Sequence, residues 1–198
     1  YTVLQETSTL SVTNTDISGK DFFTLYGFLI LLYVIGTLIL FIRLIKQVLQ
    51  LKKIIREGSC LKTTATVHIQ TNRNIEPFSF FKHIVYNQNK HTKNELTAIL
   101  AHEEVHAGQL HSLDILLIEF FLALQWFNPI AWLYCVAIKQ NLEFLADTEN
   151  RQIKINRKAY QYVLLKQTIG NQYLSIVNPF INSLIKKRII MINQQKSH

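Results

Sequence analysis

A chain of 198 residues has room for one domain and membrane segments, and little else. Its two cysteines, Cys60 and Cys135, stand in unrelated contexts, which excludes a disulfide framework or a cysteine metal knuckle and fits a reducing compartment. The formal net charge of +8 raises nucleic acid as a partner, so the placement of that charge has to decide.

The chain begins at Tyr1 without a methionine, as expected of a fragment or a processed product. Residues 1–20 are polar and rich in Ser and Thr, unlike a signal peptide. Phe22 to Ile42 then runs for 21 residues without a charge. As a helix it extends about 31 Å, the thickness of a bilayer core. Its polar residues, Thr24, Tyr26, Tyr33 and Thr37, are too few for the stripe of a soluble core helix, so 22–42 is expected to be a transmembrane helix. No Lys or Arg occurs before residue 20, whereas Arg43, Lys46, Lys52, Lys53, Arg56 and Lys62 follow the span. The positive-inside rule makes 1–21 an extracytoplasmic loop and puts everything after Arg43 in the cytoplasm.

Residues 43–91 read as a basic juxtamembrane segment and a short hairpin. Thr63 to Gln70 alternates like a strand, and Phe80 to Tyr86 is aromatic and β-branched. Asn72-Arg73-Asn74 and Glu76-Pro77 between them are turn-like. An edge strand here would suit a peptidase, because an extended substrate can add to it.

Residues 92–150 carry the chemistry. Thr92 and Glu95 form a capping box ahead of a helix expected from Asn94 to Leu110. Leu96, Ile99, His102, His106 and Leu110 recur at three- and four-residue steps and mark its buried face. On that face His102-Glu103-Glu104-Val105-His106 is an H-E-x-x-H pattern. Two histidines one turn apart can reach one metal ion, and Glu103 beside the first can serve as general base. Glu104 lies about 100° further round and should face away.

Two imidazoles need a third ligand. A metzincin would place a histidine at 112, where Ser112 stands, and His111 is rotated about 140° from His106 on a continuing helix, so it is a poor ligand. Glu143 is the better candidate, with Glu119 and Asp114 as lesser ones. Glu143 and Asp147 are an i, i+4 pair, so a second helix could offer one carboxylate to the metal and the other to a ligand imidazole. Two imidazoles, one carboxylate and an open position are the donor set of catalytic Zn2+.

Phe120 to Ile138 is apolar but interrupted at Asn128-Pro129, which predicts two shorter helices in a membrane-apposed hairpin. A single crossing would leave Glu143 and His102 on opposite sides. Glu119, just before the run, reads as an interface residue. Residues 151–198 carry nine Lys or Arg and no acid, a basic cytoplasmic tail. In a membrane protein that charge is held at the cytoplasmic face near anionic lipid, so the expected partners are membrane lipid and a protein substrate, with no direct nucleic-acid binding and room for a homodimer.

Pro77-Phe78-Ser79-Phe80-Phe81, His102 to His106, His111-Ser112-Leu113-Asp114, Trp126-Phe127-Asn128-Pro129, Asn141 to Asp147 and Lys187-Arg188-Ile189-Ile190-Met191 follow in order. Together they resemble the BlaR/MecR-type antirepressor membrane metallopeptidases, in the form found in Bacteroidetes-like bacteria, over about residues 22–195. The resemblance implies a mainly α membrane protein: a transmembrane helix followed by a small α+β gluzincin-like zinc peptidase domain. It implies His102, His106 and Glu143 as ligands, Glu103 as base, and an inner-membrane protein, multi-pass when complete, that cleaves a transcriptional repressor or itself. The upstream spans, the last span and a sensor domain are absent from this sequence, so β-lactam cannot be inferred as the signal. Competing expectations are a housekeeping membrane metallopeptidase of the CAAX-protease or HtpX-like kind, and a non-enzymatic sensor or scaffold.

Overall fold

The computed structural model describes residues 19–62, 65–150, 157–170 and 178–194, in two compact units, Tyr1–Gly36 and Thr37–His198. In the first unit the described part is the start of helix α1 (Gly19–Glu57). From Leu25 to Ile35 its large apolar side chains, among them Phe28, Leu31 and Ile35, are exposed. Among the described residues α1 is the one unbroken helix long and apolar enough to cross a membrane. It does not end with the apolar run at Ile42. No Gly or Pro interrupts residues 43–57, so the helix continues through the basic segment and stops before Gly58.

The second unit opens with a four-stranded sheet made of β1 (Ser59–Lys62), β2 (Val67–Gln70), β3 (Phe78–Phe80) and β4 (His83–Tyr86). Its order is β1-β2-β4-β3, with β2 and β4 parallel and the outer pairs antiparallel. The expected hairpin of residues 63–70 with 80–86 does not form: β2 and β4 run parallel, and the second segment turns at Phe81-Lys82, so that β4 makes its hairpin with β3 instead. Strand β1 was not expected: Ser59, Cys60 and Leu61 are all exposed and the segment does not alternate, so only pairing with β2 makes it a strand.

Helix α2 (Lys93–Gly108) carries the capping box, Thr92 accepting from the Glu95 backbone and Glu95 from that of Thr92. It ends two residues earlier than expected. Leu110 takes a left-handed conformation, φ 55°, and the chain bends by 64° into α3 (His111–Leu124). Leu110 is therefore exposed at a corner and lies off the buried face. Helix α2 packs on β3 and β4, with Ile84, Tyr86 and Ala107 at the centre.

Helices α3 and α4 (Pro129–Glu149) form the expected pair broken at Asn128-Pro129. The Asn128 side chain accepts from Ile130 N, and Pro129 occupies the first turn, where its missing N–H costs nothing. Ile118, Leu122, Ala131 and Cys135 fill the seam, and Glu119 accepts from Lys139 Nζ across it at 2.5 Å. The outer face leaves Leu117, Phe120, Phe127, Ile130 and Leu133 exposed. The basic tail supplies α5 (Arg157–Gly170) and α6 (Asn178–Gln194), whose Tyr160, Leu164 and Ile192 pack on Ala98 of α2.

Gly58 joins α1 to the sheet. A Cβ at Gly58 would stand 2.3 Å from Ile69 Cγ2 and 3.0 Å from the Gln70 carbonyl, and Ile69 is fully buried. Gly58→Val should therefore destabilise the protein by about 1–3 kcal/mol. Thermal melts of the single variant and of Gly58→Val with Ile69→Ala check this. The account expects partial recovery in the double variant, and an unperturbed single variant contradicts it.

Candidate metal centre

Helices α2 and α4 present three donor groups to one point. His102 and His106 are buried on α2, one turn apart, and Glu143 stands opposite on α4. His102 Nε2 and His106 Nε2 are 3.1 Å apart. Glu143 Oε2 lies 3.4 Å from His102 Nε2, and Oε1 lies 3.7 Å from His106 Nε2. A tetrahedral ion with bonds of about 2.0–2.2 Å needs donors roughly 3.3–3.6 Å apart, and these separations are close enough for the three groups to hold one ion. Among the described residues no other cluster of three His, Cys, Asp or Glu residues has this geometry. Glu119 is taken by Lys139, and Asp114 lies beside His111 and away from the cluster.

Each group has a second partner. Tyr160 OH lies 3.1 Å from His102 Nδ1 and donates to Asp147 Oδ1 at 2.7 Å. With His102 Nε2 free for an ion, Nδ1 carries the proton and donates to the Tyr160 oxygen. Asp147, expected to reach the imidazole directly, is 3.4 Å from Nδ1 and acts mainly through Tyr160. His106 Nδ1 is 2.7 Å from His111 Nδ1. His111, set aside as a ligand, is thus a partner of one, because the bend at Leu110 swings it back over α2. Arg188 of α6 holds the carboxylates: Nε and Nη2 donate to the two oxygens of Asp147 at 2.7 Å each, Nη2 to Tyr160 OH at 3.0 Å, and Nη1 pairs with Glu143 Oε2 at 2.7 Å.

These contacts set the charges. Burial, together with the neighbouring His102, holds His106 down at about 4, so it is a neutral donor at physiological pH. Burial alone would raise Glu143; its hydrogen bond with His102 and the Arg188 charge outweigh this and hold it at about 2. Glu103 is different. Burial raises it to about 7, while His102 and a hydrogen bond with Ser79 of β3 pull the other way. Glu103 lines a cleft of about 190 Å³ with Glu76, Pro77, His102, Tyr160 and Arg188. Glu104 is exposed, 3.8 Å from His68.

Tyr160, Arg188 and His111 were not read from the sequence as parts of this centre. The one signal for Arg188 was its place in the Lys187–Met191 motif, which carried no role.

The model of the BlaR1 peptidase M56 family matches residues 2–192 of the chain. This chain belongs to that family. No curated protein matches it. M56 peptidases are metallopeptidases, and the His102, His106 and Glu143 group can hold the metal such an enzyme requires. Family and apolar α1 together make this a membrane-associated protein.

Removing Arg188 unpins Glu143 and leaves Asp147 charged and unpaired. Arg188→Ala should weaken metal affinity about 10–100-fold, and Tyr160→Phe about tenfold, measured by competition with a chelating dye. Unchanged affinity in both variants contradicts the arrangement.

Glu103 also gives a pH dependence. Unfolded, it titrates near 4.5; folded and metal-free, near 7. The folded state then holds the extra proton, so stability falls as pH rises from about 4.5 to about 7 and levels off above. Glu103→Gln removes this cost. The variant's gain in melting temperature over metal-free wild type should be larger at pH 8 than at pH 5, and an equal gain at both contradicts the assignment.

Proposed function

We propose that this protein is a gluzincin-like zinc endopeptidase of the bacterial inner membrane, with a cytoplasmic active site, that inactivates a transcriptional repressor or cuts itself in response to a signal. The observation that carries this reading is the convergence of His102, His106 and Glu143 on one point beside Glu103 and the edge strand β3. Two imidazoles and one carboxylate leave a fourth position open, which suits catalytic zinc better than a closed structural site. When bound, zinc polarises the scissile carbonyl and acidifies a water molecule.

The chain's own residues do the rest. Strand β3 pairs with β4 on one side only among the described residues, and its other edge offers backbone groups to an extended substrate. Glu103, held by Ser79, takes the proton of the attacking water and delivers it to the leaving amide nitrogen. Tyr160 and Asp147 fix the tautomer of His102, and Arg188 holds Glu143 in place.

The membrane placement rests on α1 and on charge. The first half of α1 is apolar and its second half is basic, which supports residues 1–21 outside and the peptidase core from residue 92 inside. The exposed apolar face of α3 and α4 suits a hairpin lying against lipid. The free protein is expected to be restrained, because an unregulated cytoplasmic endopeptidase would be toxic. Cysteines introduced near residue 10 should react with an impermeant thiol reagent in intact cells while those near residue 55 stay protected. Reversed labelling overturns the placement.

Glu103→Gln should keep zinc and lose proteolysis, whereas His102→Ala, His106→Ala and Glu143→Ala should lose both. The functional test is co-expression with a candidate DNA-binding repressor under an inducing stress. Wild type should lower repressor levels and Glu103→Gln should not. Equal repressor levels and equal self-processing in the two strains remove the regulatory reading.

A further inference from the structure

A larger cavity, about 850 Å³, lies at the end of β3 that points away from the cleft. Its walls are the basic end of α1, with Leu49, Lys52, Lys53 and Arg56, and the β3–β4 turn, with Phe80 and Phe81. The three cations are exposed, and among the described residues no carboxylate pairs with them. The one acid in the wall, Glu57, is engaged by Arg73. The turn is built to face this space. Phe81 has φ 50°, a conformation unfavourable for an aromatic residue, and its backbone N–H is held at 2.9 Å by the Ser112 hydroxyl at the start of α3. The Phe81 ring stands partly exposed, edge-on to Phe80 at 4.9 Å.

We infer that this cavity is a specificity pocket for an acidic segment of the protein substrate. The inference rests on the peptidase reading above and adds to it which substrates are chosen. Ser79, one residue before Phe80, touches Glu103, so the bond to be cut lies near Ser79. A substrate strand added to the free edge of β3 then passes Phe80 and reaches the cavity two to four residues from that bond, at about 3.3 Å per residue. There its carboxylates meet Lys52, Lys53 and Arg56, and its apolar side chains meet Leu49 and Phe81. Anionic lipid fits less well. Lys52 lies ten residues beyond Ile42 on an unbroken helix, about 15 Å past the apolar run, whereas the interfacial layer is about 5–8 Å deep.

The test uses the full chain, zinc-loaded and carrying Glu103→Gln, in nanodiscs of phosphatidylcholine. The probes are peptides of about ten residues labelled with an uncharged dye: one neutral, one with a Glu-Glu pair before the centre, one with the pair after it. One of the acidic peptides should bind about tenfold more tightly than the neutral one. Lys52→Glu with Arg56→Glu should abolish that preference, while a Lys-Lys peptide gains what the acidic one loses. Loss of the preference at high salt supports the same conclusion. Equal binding of all peptides, or a preference that survives the charge reversal, overturns the inference, as does binding of none. Loss of anionic-vesicle binding in the double variant with peptide binding unchanged assigns the cavity to lipid and also overturns it. Cleavage by the chain without Glu103→Gln separates the two readings. An acidic preference without cleavage removes the peptidase and keeps the pocket. Cleavage without a preference does the reverse.

Discussion

A carboxylate removed from water must be paired and hydrogen-bonded at both oxygens, and Asp147 is such a group. Its side chain is wholly buried, with Arg188 on both oxygens and the Tyr160 hydroxyl on one. Breaking a buried pair of this kind by removing one partner costs about 3–5 kcal/mol, because the remaining charge has no solvent to turn to. The network therefore ties α4, α5 and α6 together at one point and sets that point against α2. The orientation of both histidines and of Glu143 follows from it.

The centre is assembled from distant parts of the chain. Helix α2 supplies His102, Glu103 and His106; α3 supplies His111 through the left-handed corner at Leu110; α4 supplies Glu143 and Asp147; α5 and α6 supply Tyr160 and Arg188. Strand β3 contributes Ser79 on the open side. The same ordering gives a division of charge: the hydrogen bond with His102 and the Arg188 charge keep Glu143 ionised, while desolvation with only weak compensation raises Glu103 to about 7. Two glutamates lining one cleft thus acquire different roles, one suited to holding a cation and one to carrying a proton.

What could be read from the sequence was local. The capping box, the histidine face of α2, the break at Asn128-Pro129 and the i, i+4 spacing of Glu143 and Asp147 all depend on residues within a turn or two of one another. What could not be read was tertiary. Tyr160 meets His102 across 58 residues, and Arg188 meets Asp147 across 41; no periodicity carries such a pairing. His111 is no ligand, as its helical rotation suggested, but its contact with His106 was not legible, because the helix was extended through Leu110 and a left-handed leucine is not a signal that composition gives. Strand β1 was missed for a similar reason. Its residues form a strand only because β2 lies beside them. The tail looked like a charged surface, yet Arg188 within it turns inward onto Asp147 and Glu143.

The central claim is that His102, His106 and Glu143 hold a zinc ion with an open fourth position. X-ray absorption at the zinc edge, on the purified full chain, tests it most directly. The account predicts a shell of four nitrogen and oxygen neighbours at about 2.0–2.1 Å, with the outer scattering of two imidazoles and a fourth neighbour that exchanges with added anions. A sulfur shell near 2.3 Å, a third imidazole, or protein carrying no zinc at all would contradict it.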